Sequence, residues 1–310
     1  MIPFEYRTPK NLKEVHATLK EFGSDAKLMG GGTSLIIMMK QRLVRPSCLV
    51  SLRSVRGLDS IEIKDGGVRI GGLATHRQVE SSPLLRRRLP LLTETYHHVA
   101  TIRVRNMATV GGGLAHADPN QDPPPSLIAL GATVKATSAD GSRVIPLDDF
   151  FTDYYETVLK PDEIVTEIFV PKMSANSAGA YLKFLPRTAD DYATVSAAAV
   201  LTLDKTHKTI TDVRIALGSV GVTPIRATAA EALLRGQPVK TEAFAEAGEK
   251  AKEAVDPVSD FRGSAAYKKE MAGVFVRRAL EKAWANIRQQ ARAKATPKVA
   301  KKAAKKGKKR

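Results

Sequence analysis

The run Arg105-Asn106-Met107-Ala108-Thr109-Val110-Gly111-Gly112-Gly113-Leu114-Ala115-His116-Ala117-Asp118-Pro119-Asn120-Gln121-Asp122 decides how this chain is read. Three consecutive glycines expose backbone N–H groups with no side chain in front of them. A turn built this way can close around an anion, because each N–H carries a partial positive charge. Thr109 on one flank and Asp122 on the other add directional hydrogen bonding. A second run, Gly30-Gly31-Gly32-Thr33-Ser34, follows the short apolar segment Lys27-Leu28-Met29 and opens the helix-like run Leu35-Ile36-Ile37-Met38-Met39. Glycines between a strand and a helix N-terminus are where diphosphates bind. Neither run has the spacing of G-x-G-x-x-G or the Gly-Lys-Ser/Thr ending of a P-loop. Singly, a glycine cluster is more often a plain tight turn. Two such loops far apart in the chain point to one cofactor diphosphate gripped from both sides.

These residues resemble two signatures of the FAD-binding medium subunit of the molybdenum hydroxylases, the xanthine dehydrogenase superfamily. Within it, the likeness is to the medium subunits of aerobic carbon monoxide dehydrogenases. The first signature, roughly A-G-G-T/H-S/D-L, is matched by Gly30-Gly31-Gly32-Thr33-Ser34-Leu35, with Gly30 in the Ala place. The second, I-R-N-x-G-T-I-G-G-N-x-x-x-A-D-P-x-x-D-x-P, is largely matched by residues 104–124. The likeness runs from Met1 to about Ala291 and includes Met271-Ala272-Gly273-Val274. Departures are Gly113 where the family usually has Asn, Arg103 for a common Gln, and Met107-Ala108 for Arg-Gly. Gly113 removes a side-chain amide and keeps the backbone N–H, so binding through the backbone is expected to survive.

The resemblance implies an α+β fold of the two-lobed FAD-binding type found in the vanillyl-alcohol oxidases. A small βαβ N-terminal unit and a larger α+β unit would be followed by a C-terminal domain of a three-stranded antiparallel sheet with helices. It also implies site residues one at a time. Gly30, Gly31, Gly32, Thr33 and Ser34, with Thr109, Val110, Gly111, Gly112 and Gly113, would bind the FAD diphosphate. Asp122 stands where the family has an aspartate that contacts the cofactor. Val165 matches an apolar position whose backbone touches the flavin region. Lys183 matches a basic residue near the isoalloxazine, and Tyr192 an aromatic one close to the ring. A lysine near the ring would tune the flavin's potential, since a reduced flavin gains negative charge at one edge. Without the resemblance, Lys183 reads as an exposed strand lysine and Tyr192 as ordinary half-buried packing.

Composition sets further bounds. A chain of 310 residues holds two or three small domains. Its 43% hydrophobic and 26% charged residues are those of a soluble globular protein. Met1-Ile2-Pro3-Phe4-Glu5 shows no basic region leading into an apolar run, and no apolar stretch is long enough to span a bilayer, so a cytoplasmic protein is expected. One cysteine, Cys48, can form no intrachain disulfide and cannot supply the thiolates of an iron–sulfur cluster. It reads as a small buried hydrophobe. Any such clusters must lie on partner proteins. The net charge of +17 divides into ten positive charges in 291–310, with no acid among them, and +7 for the rest.

Along the chain, Thr8-Pro9 followed by Leu12, Val15, Leu19 and Phe22 predicts a capped amphipathic helix ended by Gly23. A strand, the first glycine loop, a helix to about Leu43 and a strand at 48–52 complete a first unit, 1–55. A middle unit, 56–176, opens with a hairpin across Asp65-Gly66, a strong two-residue turn signal. Helical segments from Thr75 and over 83–100 lead to the second glycine loop. A short helix at 126–130, strands at 133–136 and 144–145, and a strand at 163–170 follow. The aperiodic stretch 172–177 reads as a linker. A third unit, 177–290, holds strands at 180–185, 194–203 and 213–217, then helices at 226–234, 242–254 and 265–290. Strands followed by helices argue α+β.

The sequence offers no acid/base dyad or metal site with which this chain would transform a substrate alone. His97 and His98 are adjacent and point to different helix faces, while His76 and His116 lack companions at ligand spacing. Asp148-Asp149 and Asp190-Asp191 are paired in sequence only. The Lys-rich segment 291–310 repels itself and lacks apolar anchors, so disorder is expected there. It reads as a solubilising extension, with a nucleic-acid tether acting by counterion release as the alternative. By resemblance the chain is an FAD-binding electron-transfer subunit with a large molybdenum-cofactor subunit and a small subunit carrying two [2Fe-2S] clusters, assembled as a dimer of heterotrimers. Other readings are a nucleic-acid-associated binding protein and a stand-alone flavin oxidoreductase.

Overall fold

A computed structural model describes residues 2–185, 188 and 191–307, with 294–307 as backbone only. Asp190, half of the Asp190-Asp191 pair, and the last three residues of the basic segment lie outside the described residues. The first unit is a parallel three-stranded sheet in the order Glu5–Arg7, Cys48–Ser51, Ala26–Met29. Parallel neighbours need crossover helices, and these are Leu12–Phe22 and the short Leu35–Lys40. The first helix buries Val15 and Leu19 against Cys48 and Val50, and Gly23 follows it at φ +53°. Its cap is Asn11, not the Thr8-Pro9 step expected from sequence. The Asn11 side chain accepts from Glu14 N at 3.0 Å and donates to Glu14 Oε1 at 2.6 Å.

The middle unit is an antiparallel five-stranded sheet in the order Ile61–Lys64, Gly67–Gly71, Ile164–Val170, Thr133–Ser138, Gly141–Pro146. The Asp65-Gly66 hairpin forms as expected. Asp65 and Gly66 both have positive φ, +48° and +78°, the backbone that matches the strand twist. Two features escaped the sequence reading: a helix at Ile102–Met107 and a two-stranded ribbon of Phe151–Asp153 with Glu156–Thr157. The glycines of the second run do not form an open turn either. They lie within a short helix, Val110–His116, whose N-cap Thr109 accepts from Gly112 N at 3.2 Å. Thr109 makes this helix start where three residues of poor helix propensity follow.

The C-terminal sheet has a fourth, two-residue strand beyond the three expected, giving Ser177–Phe184, Val195–Leu203, Ile210–Gly218, Ile225–Arg226. Its side chains alternate between two cores. Tyr181, Ala198 and Ala216 face the middle unit, whereas Ala180, Ala197, Ala199 and Leu217 face the C-terminal helices Thr228–Leu234, Thr241–Ala251 and Ala265–Gly307. A central strand buried on both faces needs small residues, which Ala197-Ala198-Ala199 supply. Close approach also requires Gly179, where a Cβ would stand 2.7 Å from Leu91 Cδ2. The final helix runs to Gly307, whereas the sequence reading ends it near Gln290 and expects disorder over 291–310. Alanine, lysine and arginine rank high in helix propensity, and they dominate that segment.

Phe244 is fully buried in the C-terminal core and meets Trp284 edge to face, with ring centroids 6.1 Å apart. Phe244→Ala is expected to cost roughly 3–5 kcal/mol, read as a lowered urea midpoint of the purified chain.

Candidate functional site

The two glycine runs meet. A Cβ on Gly30 would stand 2.5 Å from Thr109 Oγ1, and one on Gly31 would fall on the Met107 carbonyl. No side chain larger than hydrogen lets the two backbones come this close. Between and beyond them lies a cavity of about 640 Å³. Gly30, Gly31, Gly32, Thr33 and Ser34 line one wall, and Thr109, Gly112 and Gly113 the facing one. Among the described residues, the amides of Gly31, Gly32, Thr33 and Ser34 donate to no backbone carbonyl. Asp122, Lys183 and Tyr192 complete the lining at the end nearest the C-terminal sheet.

Three expected site residues do not reach the cavity wall. Val110 and Gly111 turn inward, with Val110 in the middle core and Gly111 N donating to Gly72 O at 2.8 Å. Val165 is buried behind Gly111 at a strand irregularity, its Cγ1 lying 3.1 Å from where a Gly111 Cβ would sit. They form the backing of the glycine helix.

The polar end of the cavity is held by buried charge. Lys183 Nζ lies 2.9 Å from Asp122 Oδ2 and donates to His98 O at 3.1 Å. Tyr181 donates to Asp122 Oδ1 at 2.5 Å. The Lys183 and Asp122 side chains are 2% and 5% exposed, so Lys183 is no surface strand lysine. Burial pushes the Asp122 carboxyl above its ordinary range, and Lys183 and the Tyr181 hydroxyl oppose that rise. Tyr192 is half-exposed at the mouth and donates to the buried Asp118 Oδ2 at 2.9 Å. Burial, and then the Asp118 charge, raise the Tyr192 phenol.

Sequence reasoning passed over several residues that build this wall. Gln121 donates from Nε2 to Gly113 O at 2.9 Å, placing a carboxamide beside the glycine that replaces the family's usual Asn. His76 lines the cavity, is buried edge-on to Tyr96 with centroids 5.0 Å apart, and leaves Nδ1 without a hydrogen-bond partner among the described residues. Burial lowers the His76 pKa to about 4, with Arg105 adding to the effect and a hydrogen bond to the Thr109 backbone opposing it. Asp118 and Gln121 both stood in the quoted stretch, Asp118 within its Ala-Asp-Pro match, and that placement was the signal available.

The donor set fits a bound dinucleotide. Free amides and glycines that admit no Cβ suit a diphosphate. The buried Asp122–Lys183 pair and the apolar Val99, Val104 and Ile37 suit a polar-edged aromatic ring. Among the described residues no cluster of His, Cys, Asp and Glu could hold a metal ion.

Comparison with known proteins agrees with this geometry. Residues 2–173 match the FAD binding domain in molybdopterin dehydrogenase, and residues 180–283 match the CO dehydrogenase flavoprotein C-terminal domain. The chain therefore belongs to the FAD-binding medium subunits of the molybdenum hydroxylases, and it is a subunit of an oxidoreductase. It is 39% identical to the carbon monoxide dehydrogenase medium chain of Hydrogenophaga pseudoflava, over 92% of this chain and 99% of that one. It is 35% identical to the 6-hydroxypseudooxynicotine dehydrogenase complex subunit alpha of Paenarthrobacter nicotinovorans, over 90% and 94%. The solved carbon monoxide dehydrogenase of H. pseudoflava superposes with a TM-score of 0.89 at 41% identity, over 92% of this chain and 99% of that one. Quinoline 2-oxidoreductase from Pseudomonas putida 86 gives 0.86 at 34% identity, over 92% and 98%.

Two outcomes follow. Gly31→Ala would push the loops apart, and the chain is expected to fold yet lose FAD, read as the flavin-to-protein absorbance ratio after gel filtration. His76, neutral in the fold, contributes stability that is fully present above pH 6.5 and is lost as pH falls toward about 4. That interval is worth roughly 3 kcal/mol. His76→Gln should flatten the fall in denaturant stability between neutral pH and the lower limit.

Proposed function

We propose that this chain is the cytoplasmic electron-transfer flavoprotein of a heteromeric molybdenum hydroxylase. It takes electrons from [2Fe-2S] clusters on a small partner and passes them to an external acceptor, while a large partner holds the molybdenum cofactor and oxidises the substrate. The assembly is a dimer of such heterotrimers. One solved relative is a Cu,Mo-CO dehydrogenase and another relative is a nicotine 6-hydroxylase medium subunit, which supports a partner-borne choice of substrate. Within the chain, we assign 1–55 and 56–176 to FAD binding, 177–290 to a C-terminal domain that closes the site, and 291–310 to an extension outside it.

The observation that carries this reading is the cavity walled by both glycine runs and ended by the Asp122–Lys183 pair. Bound FAD would supply stepwise electron acceptance and donation. Gly30, Gly31, Gly32, Thr33 and Ser34 hold the diphosphate with backbone N–H groups, and Thr109, Gly112 and Gly113 close over it. Lys183 keeps a positive charge at the wall, where it offsets negative charge developing on a reduced ring. Asp122 fixes that charge in place and, with Tyr181, keeps the amine from leaving for solvent. Tyr192 covers the mouth, its phenol anchored by Asp118.

Affinity purification of the chain from its native host tests the proposal. The expected result is a flavin absorption spectrum with a molybdenum subunit and an iron–sulfur subunit in one peak. A colourless chain arriving with neither partner would overturn it.

A further inference from the structure

We propose that the buried Glu80–Arg105 pair is a clamp that sets the wall of the FAD cavity at residues 98–100 and, through it, the position of Lys183. Arg105 does not line the cavity, so it would be a positioning residue. Its Nε donates to Glu80 Oε2 at 2.9 Å, and Nη2 reaches Glu80 Oε1 at 3.4 Å. Its Nη1 donates to both Val99 O and Ala100 O at 2.8 Å. Val99 and Ala100 line the cavity, and Ala100 has φ +39°, a left-handed backbone that a residue with a side chain disfavours. Something must hold that turn, and the two carbonyls on Arg105 do so. The adjacent carbonyl, His98 O, receives Lys183 Nζ at 3.1 Å. The chain of contacts therefore runs from Glu80 through Arg105 and the turn to Lys183 and Asp122.

The geometry explains why arginine stands here. A planar fork can engage a carboxylate on one side and two carbonyls on another, while a lysine offers one nitrogen for all of them. Glu80 is fixed in turn. Arg77 Nη1 lies 2.9 Å from its Oε2, and His97 Nδ1 lies 2.9 Å from its Oε1. Burial raises the Glu80 carboxyl, and its partners Arg77, His97 and Arg105 more than reverse that. Arg105 and Glu80 sit on separate short helices, Ile102–Met107 and His76–Ser81, so the pair also ties those helices together.

The inference rests on the reading that this cavity holds FAD. Arg105→Lys, Arg105→Met and Glu80→Gln, each in the assembled complex, test it by FAD dissociation constant and by flavin midpoint potential. Each variant is repeated in a Lys183→Met background. The expected result is FAD binding weakened on the order of tenfold. The potential should also move negative, with Arg105→Lys between wild type and Arg105→Met. Most of the potential shift should vanish in the Lys183→Met background, since both changes then act on one missing charge. A structural role alone would lower thermal stability without that dependence on Lys183. Wild-type affinity and potential in the variants would overturn the clamp, as would a shift that persists in full without Lys183. If Arg105→Met fails to fold, Arg105→Lys and Glu80→Gln still decide. A wild-type complex that binds no FAD in this cavity would instead sink the underlying reading, and the clamp with it.

Discussion

The contact on which the site depends seats one glycine run on the other loop: Gly30 against the Thr109 side chain and Gly31, backbone to backbone, against the Met107 carbonyl. Everything around it serves to bring two loops, nearly eighty residues apart in the chain, to that distance. The parallel sheet of the first unit ends its middle-numbered strand at Met29, so the glycines emerge at its edge. On the other side, Thr75 bridges to Thr109 across an isolated β-bridge, and His76 N donates to Ala108 O at 2.9 Å. These two links pin the start of the glycine helix to the start of the helix His76–Ser81, and Gly111 N donating to Gly72 O ties it to the end of the strand Gly67–Gly71. The cavity is thus a seam between two sheets, and its shape is set by hydrogen bonds outside it.

The C-terminal sheet closes the seam by sharing its strands between two cores. Because side chains alternate along a strand, Tyr181 and Ala198 can join the middle core while Ala180 and Ala197 join the C-terminal one. Lys183, two residues beyond Tyr181, falls on the same face and so arrives at Asp122. Tyr181 and Lys183 bracket one carboxylate from one strand. A one-residue slip in that strand would move both to the opposite face, so the packing of the alanine stripe and the chemistry of the site are set by the same register.

What was legible in the sequence was local. The two glycine runs, the Asp65-Gly66 hairpin and the order of strands before helices each depend on neighbours a few residues apart. Local rules failed where local chemistry was ambiguous. Gly111-Gly112-Gly113 has low helix propensity, yet Thr109 caps it and the sheet backs it, so it is helical. Asn11 displaced Thr8 as a cap because only Asn11 exchanges hydrogen bonds with Glu14. The residues that build the polar end were illegible for a different reason. Glu80 and Arg105 are 25 apart, Tyr181 and Asp122 59, and Asp118 and Tyr192 74. No periodicity connects such pairs; only the topology does.

The charge of the site carries the last step. A buried ion pair such as Asp122–Lys183 contributes little to folding, because desolvation of both groups offsets their attraction. Its value lies in placement: a lysine whose side chain is 2% exposed cannot wander, and its partner acid leaves the local charge near zero. The glycine walls hold no cation of their own, since residues 30–34 and 109–113 are uncharged. An anion on the 30–34 loop would meet amide dipoles there, with Lys27 the cation that precedes that loop in the cavity lining. The fold thus divides one cavity between a wall of uncharged backbone and an end held by the buried Asp122–Lys183 ion pair, and the proposed placing of diphosphate and ring rests on that division.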